Sequence, residues 1–255
     1  MTIEWITAFL DTPFATSAEA DTFWLAITGV SLSSRRGPRE QFATLQPPQG
    51  DAFLRMRMQI VDSEHPGVHL DLHVPDPAET SRHAVSLGAD VVANHGTLVV
   101  LTSPGGLRFC LAGHRGERVR PEPTVWPPGH HSLVDQVCLD IPDGEFDREA
   151  SFWSSMTGWT RHPGSLPEFD YLQRPAGLPL RLLLQRVGDD GPMRAHLDLA
   201  SDDVQTEVAR HESLGATVQR RTDAWTTLRD PAGREYCITS RDPWTGRLTA
   251  QKSAR

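Results

Sequence analysis

The chain repeats itself, and that constrains its fold more than any other feature. His69-Leu70-Asp71-Leu72 returns 127 residues later as His196-Leu197-Asp198-Leu199, and Ser86-Leu87-Gly88-Ala89 returns at the same offset as Ser213-Leu214-Gly215-Ala216. Pro104, Gly106 and Cys110 match Pro231, Gly233 and Cys237, again 127 residues on. Upstream, Phe23-Trp24 and Thr28-Gly29 match Phe152-Trp153 and Thr157-Gly158 at an offset of 129. Several motifs in one order at nearly one spacing mark two copies of one folding unit. The two-residue change in offset belongs in the hairpin region between motifs, where insertions are tolerated. The reading is a domain over residues 1–112, a linker over 113–132, a second domain over 133–240 and a polar, poorly tied tail over 241–255. Pro121, Pro123, Pro127 and Pro128 carry the linker reading, because proline removes backbone donors and disfavours helix and central strand.

Within each copy, stretches alternating with period two give way to stretches of period 3.6. In the second copy Leu133 to Ile141 reads as a strand, and Phe146 to Thr157 as a helix stopped by Gly158 in the left-handed cap position. Phe169 to Arg174 and Leu178 to Val187 read as a hairpin around Pro175-Ala176-Gly177. Ala195 to Ser201 is another strand and Asp203 to Leu214 another helix, closed by Gly215. Thr226 to Arg229 and Glu235 to Thr239 form the last strand pair, turning at Asp230-Pro231-Ala232-Gly233. The first copy follows the same order, with Asp76-Pro77-Ala78-Glu79 as a helix-start signature. Each copy reads as β-α-β-β followed by β-α-β-β.

Composition then excludes whole classes of function. Asp and Glu outnumber Lys and Arg by 33 to 25, a formal charge of −8 that repels a phosphate backbone or an anionic membrane. No apolar run approaches the ~20 residues that span a bilayer. Met1 to Pro13 carries Glu4 and Asp11 where a signal peptide would be basic. Cys110, Cys138 and Cys237 are too few and too odd in number for a disulfide framework and fit reduced thiols. The expectation is a cytoplasmic protein with no nucleic-acid and no membrane partner.

Alternate residues of a strand face opposite ways. His196, Asp198 and Ala200 therefore share one face, as do His69, Asp71 and His73 in the first copy. The leucines between them form the seat for the following helix, whose apolar stripe in the second copy includes Val204, Val208 and Leu214. A sheet with helices outside and a polar inner face makes a cup, the shape that takes a small organic ligand.

The Phe-Trp helix before a glycine, the His-x-Asp-Leu strand, the Leu-Gly-Ala helix end and the Asp-Pro-x-Gly turn together resemble the glyoxalase / bleomycin-resistance / extradiol-dioxygenase (vicinal oxygen chelate) superfamily. Within it the chain is similar to the tandem glyoxalase-like domain proteins of bacteria. The resemblance covers residues 1–112 and 133–240. It implies an α+β fold of two tandem glyoxalase-like domains, each of paired βαβββ modules forming a curved mixed sheet with helices outside. It also implies that the two domains pair within the chain about a pseudo-two-fold axis, with a homodimer of whole chains left open.

Metal enzymes of the superfamily hold their ion at three recurring positions. These fall on Gln136, His196 and Cys237 in the second copy, and on Thr7, His69 and Cys110 in the first. Both copies carry cysteine where the superfamily usually has glutamate, so the two-His-one-carboxylate face that suits iron is missing. The expectation is a cup that binds a small organic molecule without metal. The alternative is a lyase, isomerase or dioxygenase holding a divalent ion, zinc by its ligand types, on Gln136, His196 and Cys237. The ligand-binding residues expected are Gln136, His196, Asp198, Trp225 and Cys237, with His69 and Asp71 as a weaker counterpart. Trp225 begins a strand beside the cup, whereas Trp24 and Trp153 belong to the repeated helix motif and to the core.

Overall fold

The computed structural model describes residues 2–59, 65–188 and 191–248. The first copy runs β1 (Trp5–Pro13), α1 (Ser17–Thr28), β2 (Ser31–Leu32), β3 (Phe42–Gln46), β4 (Leu54–Gln59), β5 (Gly67–Val74), α2 (Pro77–Ser86), β6 (Asp90–Asn94), β7 (Leu98–Thr102) and β8 (Arg108–Gly113). Then come β9 (Thr124–Trp126), β10 (His130–Pro142), α3 (Phe146–Thr157), β11 (Arg161–Pro163), β12 (Phe169–Leu172), β13 (Arg181–Val187), β14 (Arg194–Ser201), α4 (Val204–Ser213), β15 (Thr217–Arg221), β16 (Trp225–Arg229) and β17 (Glu235–Thr239).

Each copy forms its own mixed sheet. The orders are β2-β3-β4-β1-β5-β8-β7-β6 and β11-β12-β13-β10-β14-β17-β16-β15. The centre of each is an antiparallel pair, β1 with β5 and β10 with β14, flanked by the parallel pairs β1/β4, β5/β8, β10/β13 and β14/β17. Each half-sheet is therefore one βαβββ module, and two modules close one cup. The periodicity reading found only two strands after each helix. The extra strands are β2, β6, β11 and β15, all at sheet edges and short or exposed, so they carry no apolar alternation for a pattern to detect.

Helix ends follow local chemistry. α1 and α3 stop at Gly29 and Gly158, whose φ values of 70° and 71° lie in the left-handed region. Asp76 caps α2 by accepting from the amides of Ala78 and Glu79, with Pro77 at the first position. Two segments are better ordered than their composition suggested. Within 113–132, β9 pairs with the start of β10. In the tail, Arg241 is 5% exposed and bridges to Leu248, and Trp244 rests on His131 with ring centroids 4.7 Å apart. Residues 249–255 of the tail lie outside the described residues.

The copies pack by exchanging helices. Phe23 and Trp24 of α1 lie against Tyr236 of β17, at 6.0 and 5.5 Å between centroids. Reciprocally, Phe152 and Trp153 of α3 lie against Phe109 of β8, at 6.0 and 5.2 Å. Each helix thus covers the outer face of the other copy's sheet through residues that match in the repeat, as an approximate two-fold between copies requires. Arg234 pins this junction. It is 3% exposed, and its guanidinium donates to the Asp230 carboxylate at 2.8 Å within its own copy. Across the junction it donates to the Asp11 carbonyl at 2.7 Å, to Thr12 Oγ1 at 2.8 Å and to the Gly67 carbonyl at 3.2 Å. Trp24 Nε1 donates to Asp230 at 2.9 Å from the first copy. Among the described residues no helix is long and apolar enough to cross a membrane.

Candidate functional site

In the second copy, period two along β10 puts Gln136, Cys138 and Asp140 on the inner face of the sheet. Register does the rest. Gln136 lies opposite Asp198, Cys138 opposite His196, and Cys237 of β17 beside Asp198. The pairing of β10 with β14 slips between Val134 and Gln136, leaving Asp135 as the extra residue of a bulge. Its fully buried carboxylate binds Arg241 from the tail at 2.5 Å.

His196 is the centre of this face. Its Nδ1 lies 3.0 Å from Asp140 Oδ2, and its Nε2 lies 3.3 Å from Asp198 Oδ1 and 3.6 Å from Cys237 Sγ. Gln136 donates through Nε2 to Asp198 Oδ2 at 2.5 Å, and Arg241 stands 3.8 Å from that same oxygen. Burial is the largest influence on His196 and opposes its charged form. The surrounding Cys138, Asp140 and Cys237 groups nevertheless raise its pKa well above the ordinary value. Burial also pushes the Cys138 thiol up and keeps it protonated, so carboxylates, Asp140 on one ring nitrogen and Asp198 on the other, account for the charge on His196. Burial likewise works against the Asp198 carboxylate, but His196, Arg241 and Gln136 hold it below its usual range.

This face is the floor of a cavity of about 290 Å³. Gln136, His196, Asp198, Trp225 and Cys237 all line it, so the five residues expected from the sequence lie around one space. Phe169, Tyr171 and Leu166 add apolar wall, and Arg181, Arg241 and Arg247 add positive charge. Trp225 meets Phe169 edge to face at 5.6 Å, and the Arg181 guanidinium lies 5.8 Å from the Tyr171 ring centre. The tail closes one side, where Arg181 donates to the Gly246 carbonyl.

The first copy repeats the motif but not the cavity wall. Asp11 Oδ2 lies 2.6 Å from His69 Nδ1, and Asp71 Oδ1 lies 3.7 Å from His69 Nε2, matching Asp140, His196 and Asp198. Where the second copy has Cys138, the first has Phe9, on which His69 stacks at 4.6 Å. Arg55 projects over the same ring at 5.6 Å. Thr7, in the place of Gln136, is taken by His73 at 2.9 Å. Without the amide and the arginine that serve Asp198, Asp71 is dominated by burial, and its carboxyl is raised instead of lowered. Both histidine–aspartate pairs also edge a groove of about 780 Å³ between the copies.

Sequence reasoning missed Asp11 and Asp140. The signal was present, because Leu10-Asp11-Thr12-Pro13 returns as Leu139-Asp140-Ile141-Pro142. It missed Arg181 and Arg241 for a different reason: nothing in the repeat marks them. A carboxylate joins the set expected for a metal. The bond from Gln136 Nε2 to Asp198 leaves Gln136 Oε1, its metal-binding atom, uncommitted by that contact, and Asp198 Oδ1, 3.3 Å from His196 Nε2, is a further oxygen on the same face. The atoms that converge are His196 Nε2, Asp198 Oδ1 and Cys237 Sγ. That N, O, S set fits zinc better than manganese or iron.

The three cysteines are free and buried, and burial pushes the Cys110 and Cys138 thiols up. Thiolate is the reactive form. Native protein at neutral pH should therefore leave Cys110 and Cys138 unlabelled by a thiol reagent over minutes, and denaturant should expose all three. Rapid labelling of the folded chain would contradict this burial.

A family model for the glyoxalase-like domain matches residues 8–112 and again 136–239. Among solved structures, the chain is similar to a Mn(II)-bound glyoxalase from Novosphingobium aromaticivorans, with a TM-score of 0.66, 14% identity, and 93% of this chain and 82% of that one covered. It is similar to a mutant of 4-hydroxymandelate synthase from Streptomyces coelicolor, with a TM-score of 0.63, 14% identity, and 98% and 95% covered. A variant of homoprotocatechuate 2,3-dioxygenase from B. fuscum gives a TM-score of 0.63 and 14% identity over 94% and 71%. At such identities these likenesses speak for the fold. No curated protein sequence matches the chain. The duplicated match, spanning both sheets and both cups, shows that the chain belongs to the glyoxalase-like domain family.

Proposed function

We propose that the second copy's cup binds a small organic anion with an aromatic or otherwise flat apolar body. The observation that carries this reading is the cavity itself: Phe169, Tyr171 and Trp225 on its walls, with Arg181 and Arg247 beside them, while the buried Arg241 is paired with Asp135. His196, held charged by Asp140, adds to that positive lining, against the single carboxylate of Asp198. Aromatic walls suit a flat ligand, and guanidinium groups near a desolvated space favour a carboxylate or phenolate over a neutral molecule. The first copy offers no equivalent wall, because Arg55 and Phe9 stand where the second copy has Leu183 and Cys138.

Calorimetric titration with benzoate-type acids and their matching amides tests this. The acids should bind and the amides should bind at least about tenfold more weakly, the loss of one charge-assisted contact. Trp225→Ala and Arg181→Gln should each weaken the acids. Equal affinity for acid and amide, or no effect of either variant, would overturn the reading.

One observation favours a second reading, a metal-dependent lyase, isomerase or dioxygenase. Asp198 Oδ1 is a buried acceptor without a hydrogen bond, and it converges with His196 Nε2 and Cys237 Sγ. A zinc ion held there would supply Lewis-acid polarisation of a substrate oxygen. His196 Nδ1 would keep its Asp140 partner, the outer carboxylate that orients a ligating imidazole. A cobalt-substituted protein showing thiolate-to-metal charge transfer that disappears in Cys237→Ser would establish this reading over the metal-free one.

A further inference from the structure

The first copy holds a second convergence of ligating atoms, on the same face of β5 as His69 but at the opposite end of that strand. β5 ends at Val74, and the chain leaving β8 folds back beside it, placing His114 and Glu117 against His73. His73 Nδ1 lies 3.9 Å from Glu117 Oε2, and His114 Nδ1 lies 3.7 Å from the same oxygen. Glu4 Oε2, from the start of the chain, lies 4.0 Å from His114 Nδ1. None of these separations is a hydrogen bond.

The two Nδ1 atoms are buried and have no hydrogen-bond partner, and His73 is only 1% exposed. On its other side His73 is fixed, with Nε2 2.9 Å from Thr7 Oγ1. When Nε2 carries the proton and donates to Thr7, Nδ1 presents a bare lone pair to Glu117 and His114. In that tautomer His73 Nδ1 and the Glu117 carboxylate are two acceptors facing one another, an arrangement that a cation at the centre would satisfy.

We propose that His73, His114 and Glu117, completed by Glu4, form a zinc site at this end of the first copy's cup, with Thr7 orienting His73 from behind. Two imidazoles and two carboxylates are a shell that zinc accepts, and their two negative charges balance the ion. Tetrahedral zinc with bonds of about 2.0–2.1 Å sets neighbouring ligand atoms about 3.3 Å apart, so each of the three separations above needs a contraction of roughly half an ångström. Arg55 and Arg115 act on His73 from nearby and oppose a cation, while Glu117 acts in its favour. The site is separate from the cup of the second copy and contains no sulfur, so it stands or falls independently of either reading proposed above.

The test uses full-length chain purified without a histidine tag, stripped with a chelator and titrated with Co(II), then competed with Zn(II). The expected result is one equivalent with a visible d–d band and no thiolate-to-cobalt charge transfer, displaced by zinc. Glu117→Gln and His114→Ala, both partly exposed and not part of the apolar core, should abolish that equivalent, and Cys237→Ser should leave it intact. Thr7→Val should weaken it by about 10–100-fold, the usual cost of losing a group that orients a ligating histidine. Circular dichroism of each variant separates loss of ligand from loss of fold. No uptake by folded wild-type protein, or uptake untouched by Glu117→Gln and His114→Ala, would overturn the proposal.

Discussion

Arg234→Ala should destabilise the chain by about 3–5 kcal/mol, the range for removing one partner of a buried ion pair. Arg234 and Asp230 are both almost fully buried, and the guanidinium satisfies two backbone carbonyls and one hydroxyl of the first copy as well as Asp230. Alanine leaves the Asp230 carboxylate with Trp24 Nε1 and the Arg234 amide as donors but without a countercharge. It also leaves the acceptors of Asp11, Thr12 and Gly67 facing a cavity. For a chain of this size the shift in Tm should be about 6–20 °C. Because the bonds cross between copies, the loss should also split the transition, with one copy unfolding before the other in a calorimetric scan. A single transition within about 1 kcal/mol of wild type would show that water replaces the guanidinium and that apolar packing alone holds the copies together.

His196→Ala should have an effect of similar size at neutral pH, and its pH profile should identify the cause. The substitution strands Asp140 and Asp198 in a buried face, again a cost of about 3–5 kcal/mol. His196 titrates above its ordinary value of 6.5. Its contribution is therefore complete below about pH 6.5 and is lost as pH rises through the folded value. Asp198 titrates below its ordinary 3.8, so its contribution is present above that value and fades as pH falls through the folded one. The difference in stability between wild type and variant should thus be greatest from about pH 4 to about pH 6.5 and shrink on either side. Urea unfolding of both proteins across that range measures it. A difference independent of pH would mean that His196 contributes packing, not charge.

The same variant bears on binding. A His196 that serves a ligand and a His196 that serves the fold both lose something on truncation, so stability alone does not separate them. The Arg181→Gln and Trp225→Ala variants do, because both side chains line the cavity and are only partly buried.

Much was decided by local sequence. The repeat of His-Leu-Asp-Leu, Ser-Leu-Gly-Ala and Phe-Trp determined that there are two copies, and the period-two pattern determined that His69, Asp71, His196 and Asp198 share inner faces. Gly29 and Gly158 marked where helices stop, since a left-handed backbone selects glycine. The edge strands β2, β6, β11 and β15 escaped because a strand that buries neither face has no hydrophobic period.

What only the tertiary structure decided is which groups meet across strands, and why two copies of one motif differ. Period two states the face on which a side chain lies. It does not state the register, and register is what brings Asp140 to His196 and Cys237 to Asp198. The contrast between Asp71, raised, and Asp198, lowered, comes from residues outside the shared motif: Gln136 for Thr7, and Arg241 delivered by the tail. The tail of the second copy and the segment after β8 in the first lie over the cups, yet both are too irregular to carry a periodic signal. Duplication copied the His-x-Asp strand twice. The long-range contacts around it then made one copy a lined cavity and the other a packed cluster of histidine, arginine and glutamate.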